Sequence, residues 1–153
     1  MKKIFVTLAA GFFLLFATIN FSEEKIFLEA EVVGQKKIIA VTNAEKNLPV
    51  TIKFIHSVQK TPVVEELKFD GENFLLLRTI YQSHGVGLPF LESDGTFREE
   101  DGKFILENMN RKFKRIELRT GLGTKLCLTL GEKNFELYKK FKVGTKIILS
   151  CRR

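Results

Sequence analysis

Two ionisable side chains, His56 and Glu65, fall on the apolar faces of two successive predicted strands. Buried ionisable groups are costly unless they are paired or hydrogen-bonded. If Lys60 and Thr61 form the tip of a two-residue hairpin, His56 and Glu65 lie directly opposite each other, with Cβ atoms about 5 Å apart. The two side chains would then either pin the hairpin or form the polar centre of a ligand pocket that titrates near neutral pH. Strand alternation leaves both interpretations open.

A second unusual segment, residues 81–89, reads Tyr-Gln-Ser-His-Gly-Val-Gly-Leu-Pro. Two glycines at a spacing of two, followed by Leu-Pro, predict a turn or a close backbone approach rather than a central strand. Exposed backbone amides in such a loop can bind an anion. The segment is too short for a dinucleotide-binding loop and lies in no strand–helix unit, which excludes a Rossmann-type site.

Three catalytic schemes can be built from these residues. Ser57 and His56 are neighbours on a strand and point to opposite faces, so they cannot act as a nucleophile and its base. A triad of Ser83, His56 and Glu65 would lack a nucleophile elbow. A metal site made of His56, Glu65 and His84 would require the loop to turn the second imidazole inward. We therefore assign no catalytic residue, no metal ligand and no cofactor, and favour binding over catalysis.

Short runs with a period of two, separated by turn signals, predict the elements that position these residues. Asp-Gly pairs and turns about ten residues apart predict an all-β fold, an antiparallel sandwich or partly closed barrel after an N-terminal apolar helix. No linker or repeat divides the chain, so residues 23–153 are predicted to form one domain. The predicted strands are 26–33, 36–42, 50–57, 61–69, 74–82, 103–107, 112–120, 125–130, 134–137 and 146–151.

The N-terminus is typical of an export segment. Lys2 and Lys3 precede an uncharged run at 4–21, the pattern of a secretory signal or an N-terminal membrane anchor. Residues 1–22 are accordingly predicted to be one of these two, with cleavage left open. Because basic residues stay on the cytoplasmic side, residues 23–153 are predicted to be periplasmic or on the extracytoplasmic face of the inner membrane.

Charge and cysteine content exclude several functional classes. The 153 residues include 25 basic and 18 acidic ones, a net charge of +7, and loss of Lys2 and Lys3 would leave 23 against 18, or +5. The basic residues are dispersed, and the run 111–115 has one aromatic residue, which is no base-stacking platform, so no nucleic-acid partner is expected. Two cysteines exclude a disulfide-dense scaffold and a four-thiolate zinc site. Cys127 and Cys151 are expected to be free thiols, although an oxidising compartment would permit a bridge.

Residues 56–65, His-Ser-Val-Gln-Lys-Thr-Pro-Val-Val-Glu, and the loop 83–89 together resemble the domain-of-unknown-function family numbered eighteen-fifty. The resemblance extends over about residues 25–151. Members of that family are bacterial, begin with an apolar segment, and are often encoded beside or fused to TRAP-type transporters of the TAXI class. No activity is established for the family, so the resemblance implies an exported, transport-associated domain without a mechanism.

The resemblance and the inward-facing ionisable residues together predict an accessory domain of a solute transport system. Its partner would be a TRAP-type membrane subunit or solute-binding protein, or a small solute, with the membrane contacted through the N-terminal segment. The alternatives are a free-standing binding domain for small anions, a periplasmic hydrolase, and a structural domain in which His56 and Glu65 only pin the hairpin. The predicted ligand- or partner-binding residues are His56, Ser57, Thr61, Pro62, Glu65, Ser83, Gly85, Gly87, Leu88 and Pro89.

Overall fold

The computed structural model describes residues 23–83 and 95–152, which form two antiparallel β-sheets packed on a shared core. The predicted all-β fold is confirmed, and the two sheets do not close into a barrel. The predicted N-terminal segment, residues 1–22, lies outside the described residues. Within the described ranges, no helix is long and apolar enough to cross a membrane.

Eleven strands and one short helix make up the described chain. The four-stranded sheet has the order β2-β1-β11-β8, and the seven-stranded sheet has the order β10-β9-β3-β4-β5-β7-β6. All neighbouring strands within each sheet are antiparallel. The elements are β1 (Lys25–Val32), β2 (Gln35–Asn43), β3 (Pro49–Ile55), β4 (Pro62–Phe69), β5 (Phe74–Tyr81), β6 (Thr96–Glu100), β7 (Lys103–Phe113), β8 (Arg115–Arg119), β9 (Cys127–Leu130), β10 (Lys133–Glu136), α1 (Leu137–Lys140) and β11 (Lys146–Arg152).

The core lies between the facing surfaces of the two sheets. In most strands alternate residues point inward, as the period of two in the sequence predicts, whereas β2 and β6 have no buried residue. The four-stranded sheet contributes the buried Leu28 and Leu149, and the seven-stranded sheet contributes Ile52, Phe69 and Leu128. Each of these five side chains is at most 1% exposed, so removing any one would leave a cavity costing about 2–5 kcal/mol.

One segment passes directly from one sheet to the other. β7 ends at Phe113 in the seven-stranded sheet, and β8 begins at Arg115 in the four-stranded sheet, so Lys114 alone forms the corner. Within β7, Asn108 and Asn110 have positive φ values of 58° and 52°, which asparagine tolerates better than most residues. These two positions break the alternation without ending the strand.

The register of the β3–β4 hairpin differs from the predicted one. Ile55 is opposite Pro62, and residues 56–61 form a six-residue loop instead of a two-residue tip. In the predicted register, Pro62 would sit inside the ladder and leave a hydrogen-bonding position without a donor, because proline has no N–H. In the observed register, Pro62 is the first residue of β4, where proline is tolerated.

Candidate functional site

The imidazole of His56 organises the β3–β4 loop. His56 is only 8% exposed, and its Nδ1 accepts a hydrogen bond from the Gln59 N–H at 3.1 Å. The backbone N–H of His56 donates to the Thr61 carbonyl at 2.8 Å, and the His56 carbonyl accepts from the Lys60 N–H at 2.9 Å. His56 therefore faces inward as predicted, and its ring and backbone hold the loop that follows β3.

Ser83 joins this loop to the end of β5. Its hydroxyl donates to the Gln59 side-chain carbonyl at 3.1 Å, so the two segments singled out in the sequence do meet. Around this contact, Ser57 and Pro62 are exposed, and the Thr61 hydroxyl is buried with no hydrogen-bond partner among the described residues. The remaining predicted site residues, Gly85, Gly87, Leu88 and Pro89, lie in the segment 84–94, outside the described residues, as does His84.

Glu65 is not part of the group around His56. Its cross-strand neighbours are Ile52 on β3 and Thr79 on β5. His56 lies four residues beyond Ile52, which corresponds to about 13 Å along the strand. The predicted His56–Glu65 pairing is therefore wrong, whether as a hairpin pin or as one polar centre. The triad with Ser83 fails for the same reason, because the carboxylate cannot reach the imidazole.

Glu65 instead lines a cavity between the two sheets. It lies on the same inward face as Val63 and Leu67, as the sequence predicts. The cavity has a volume of about 400 Å³, which falls within the range of small-molecule sites. Its walls are the apolar Ile52, Leu67, Leu76, Phe113, Ile116 and Leu118, together with the charged Glu65, Arg111, Arg115 and Glu117.

Burial raises the pKa of the Glu65 carboxyl, and the positive charge of Arg111 opposes part of that rise. No hydrogen bond or ion pair reaches this carboxyl from any residue in the described part of the chain. The side chain is only half-buried, so one side of the carboxyl group faces the cavity. An inward carboxyl without a protein partner is a group that a ligand can satisfy.

The charged residues at the cavity mouth differ in how they are engaged. Arg115 and Lys146 both form ion pairs with Glu117, the lysine at 2.9 Å, and these contacts lower the pKa of Glu117. Arg111 forms no ion pair with the described residues, and its guanidinium lies 5.9 Å from the centroid of the Phe113 ring. Arg111 is therefore the cation at the mouth that remains able to bind an anionic group.

Arg111 was missed because the run 111–115 was considered only as a possible nucleic-acid-binding patch and was set aside on that ground. Strand alternation puts Arg111 on the same face as Phe113, the one apolar residue of that run. This shared face was the signal in the sequence that Arg111 lies on the inward side of the strand. The cross-strand neighbour of Arg111 is Leu76, and that of Leu76 is Leu67, so the arginine belongs to the cavity side of the sheet. Within the described ranges, no group of three or more histidine, cysteine or acidic residues has the geometry of a metal site.

Comparison with known proteins gives a family and no function. No curated protein and no solved structure matches the chain. A family model described as a domain of unknown function, DUF1850, matches residues 50–137, which is more than half of the chain and includes both the His56 loop and Glu65. The chain therefore belongs to the DUF1850 family.

Proposed function

We propose that this chain is a non-catalytic binding domain that accepts a small polar solute in the cavity between its sheets. The observation that carries the proposal is Glu65, an inward carboxyl without a protein partner among the described residues, with Arg111 at the cavity mouth. Among the described residues, the cavity walls contain no serine, threonine, cysteine or histidine that could act as a nucleophile, which favours binding over hydrolysis.

The two charged groups indicate a ligand with two polar ends. Ionised Glu65 would accept hydrogen bonds from an ammonium group, whereas the protonated form would donate one to a carboxylate. Arg111 offers a planar, bidentate site for a second carboxylate. The ligand class is therefore an amino acid or a dicarboxylate, and the cavity volume of about 400 Å³ suits molecules of that size.

The test is calorimetric titration with amino acids and dicarboxylates, preceded by a thermal-shift screen. We expect at least one ligand to bind, and we expect Glu65→Gln or Arg111→Gln to weaken it tenfold or more, about 1.4 kcal/mol. Glu66→Gln is the matched control, because Glu66 is adjacent on β4, is absent from the cavity wall and pairs with Arg78 at 2.7 Å. Failure of every ligand, or binding that survives both cavity variants, would refute the site.

We further propose that the domain serves a TRAP-type transport system of the TAXI class, from the periplasm or the extracytoplasmic face of the inner membrane. Membership of the family, and the export segment expected at residues 1–22, support this proposal. The predicted residues His56, Ser57, Thr61, Pro62 and Ser83 lie at the loop contact rather than in the cavity, so they are the candidates for contacting a transporter subunit.

Capture from cross-linked membranes tests the transport proposal separately from solute binding. The wild-type chain is expected to recover a TRAP-type membrane subunit or solute-binding protein. Ser57→Arg, which places a bulky charge on an exposed position of the loop, is expected to reduce recovery while leaving solute titrations unchanged. Recovery of neither protein would overturn the transport assignment.

A further inference from the structure

β8 is an edge strand whose outer side has no neighbouring strand in the described part of the chain. It pairs with β11 on one side, from Arg115 opposite Ser150 to Arg119 opposite Lys146, and it is the last strand of the four-stranded sheet. An exposed edge offers unpaired backbone N–H and C=O groups to a chain that lies beside it. We propose that the outer edge of β8 binds an extended, acidic segment of a partner protein as a fifth strand of this sheet.

The hydrogen-bond ladder shows which backbone groups of β8 point outward. Thr120 follows β8 and donates its N–H to the Thr145 carbonyl at 3.0 Å, so the backbone groups of Thr120 point toward the β11 side. In an antiparallel ladder, successive residues turn their N–H and C=O alternately to one neighbour and to the other. The residues that face away from β11 are therefore Arg115, Glu117 and Arg119. Among the described residues, no backbone hydrogen bond reaches them on that side, which leaves three donors and three acceptors for a partner.

β8 lacks two features that commonly protect an edge strand. Its residues pair with β11 without a register shift, and it contains no proline. The strand at the other edge of the same sheet, β2, differs, because its pairing with β1 shifts between Leu28 and Glu29 and it carries Lys36 and Lys37 side by side. Bulges and lysines on an edge oppose the addition of a strand. Of the two edges of this sheet, β8 is therefore the one suited to receive a strand.

The inward side chains of β8 border two cavities that can accept side chains of the added strand. Ile116 and Leu118 line the cavity of about 400 Å³ that Glu65 also lines, and Leu118 lines a second cavity of about 160 Å³. Alternate side chains of an extended chain point to the same face about 6.6 Å apart, so two of them fit neighbouring cavities. In strand addition, main-chain hydrogen bonds give affinity and such pockets give specificity. The second cavity is lined by Phe54, Leu118, Arg119, Thr124 and Leu126.

The charge along β8 favours an acidic partner. The segment 111–119 contains five basic residues and one acidic residue, Glu117. Glu117 is already paired with Arg115 and with Lys146, the latter at 2.9 Å. Strand alternation turns the side chains of Arg115 and Arg119 away from the cavities, so acidic side chains on that face of the added strand would lie beside them. The partner segment is thus expected to alternate acidic and apolar residues.

Two other carboxylates near this edge do not reverse its positive charge. The N–H groups of Asn73 and Glu72 hold the pKa of Asp70 below its usual value, and the charge of Lys112 adds to that effect. Glu65 lies on the inward face, where the apolar side chains of the added strand would point. Acidic side chains on the solvent face would therefore approach the arginines of β8 rather than these carboxylates.

A second copy of this chain is a poorer occupant of the edge. The antiparallel register that overlaps all five residues of two β8 strands would place Glu117 opposite Glu117 and Arg115 opposite Arg119. Like charges directly opposite each other destabilise a strand pair. The charge pattern therefore favours a different protein, one with acidic side chains.

Fluorescence anisotropy with synthetic peptides tests the proposal on the full chain. The probe is a fluorescein-labelled peptide that alternates aspartate with leucine. We expect saturable binding of this peptide, and none of a peptide that alternates lysine with leucine. No binding of the aspartate peptide, or equal binding of both peptides, would overturn the proposal.

Two methylated versions of the aspartate peptide test whether the backbone carries the binding. One is N-methylated at every aspartate and the other at every leucine, and in an extended peptide these two sets of N–H groups lie on opposite edges. We expect one version to bind at least tenfold more weakly, about 1.4 kcal/mol, and the other to remain within about threefold of the unmethylated peptide. Equal binding or equal loss for the two versions would refute strand addition.

Two variants at one position of β8 provide the matched test on the protein. Glu117→Pro removes an outward N–H, and proline is tolerated on an edge strand where its nitrogen faces solvent. Glu117→Ala loses the same carboxylate and ion pairs but keeps the N–H. We expect Glu117→Pro to weaken peptide binding at least tenfold and Glu117→Ala to bind equally or more tightly. Circular dichroism checks that Glu117→Pro folds, and the methylated peptides decide the question independently of this variant. Folded variants that bind alike would contradict the proposal.

Two further measurements separate this inference from its alternatives. It goes beyond solute binding, because it rests on the backbone of β8, so Glu65→Gln is expected to bind the peptide as the wild type does even where solute binding is lost. Light scattering without peptide is expected to find a monomer. A dimer that Glu117→Pro dissociates and Glu117→Ala retains would show that a second copy occupies the edge, and would refute the partner proposal.

Discussion

Glu65→Gln is expected to stabilise the fold at neutral pH, although it removes a residue that we assign to the binding site. Burial raises the pKa of the Glu65 carboxyl above its ordinary value of 4.5. Between the unfolded and folded pKa values, the native chain holds the proton more tightly than the unfolded chain does. The free energy of unfolding therefore falls as pH rises through that interval, and the ionised carboxylate is destabilising above it. Glutamine has nearly the same shape and carries no charge at any pH.

The size of the effect follows from the surroundings of the carboxyl group. An unsatisfied buried polar group costs about 1–3 kcal/mol, and more when charged. Glu65 is only half-buried, and the Arg111 charge offsets part of the cost, so we expect a gain near the low end, about 1 kcal/mol. For a domain of this size, that gain corresponds to a rise in the thermal midpoint of roughly 4 °C.

Chemical denaturation of the ligand-free protein at a series of pH values measures this directly. The difference between Glu65→Gln and the wild type should be small near pH 4 and should grow to its full value by neutral pH. Glu66→Gln is expected to have the opposite sign and to cost at most about 0.5 kcal/mol, because it breaks a partly exposed ion pair with Arg78. A Glu65→Gln protein that is less stable than the wild type at pH 7 would show that the carboxylate has a stabilising partner, and the reasoning would fail.

Three other outcomes are expected. His56→Ala should lower the free energy of unfolding by about 1–2 kcal/mol in denaturant titrations, because the Gln59 N–H loses its acceptor; an unchanged midpoint would contradict that role. Thr120→Val should cost a similar amount and speed hydrogen exchange in the 142–145 turn, because the hydroxyl donates to the Lys142 carbonyl at 2.6 Å; unaltered exchange would count against it. The two cysteines are free, so thiol titration without reductant should find both, reacting slowly because burial raises the pKa of each; finding fewer than two would indicate a bridge.

Strand positions were largely predictable because most strands have one buried face. All ten predicted strands correspond to observed strands, with ends shifted by at most six residues. β6 was not predicted, because Phe97 is its one hydrophobic residue and it carries no alternating pattern. The continuation of β7 through Asn108 and Asn110 was also missed, since positive-φ asparagines are as common in turns as in bulged strands.

The candidate site was predictable only in part. The inward orientation of His56 and Glu65 followed correctly from alternation within each strand. Their pairing depended on hairpin register, which is set by the loop, and the constraint imposed by Pro62 decided against the shorter loop. Arg111 comes close to Glu65 through pairing of β4 with β5 and of β5 with β7, and contacts between strands distant in sequence leave little trace in a single sequence.

The arrangement of strands in the four-stranded sheet limits how this domain can be shortened. The matched family segment, residues 50–137, contains the seven-stranded sheet except its first residue, Pro49, but of the smaller sheet only β8. β1, β2 and β11 lie outside it, and they carry Ile26, Leu28, Ile147 and Leu149, all at most 1% exposed. A polypeptide trimmed to residues 50–137 would present the inner face of its large sheet to water, and we expect it to aggregate. The segment that the family model matches is thus smaller than the pair of sheets that share the core.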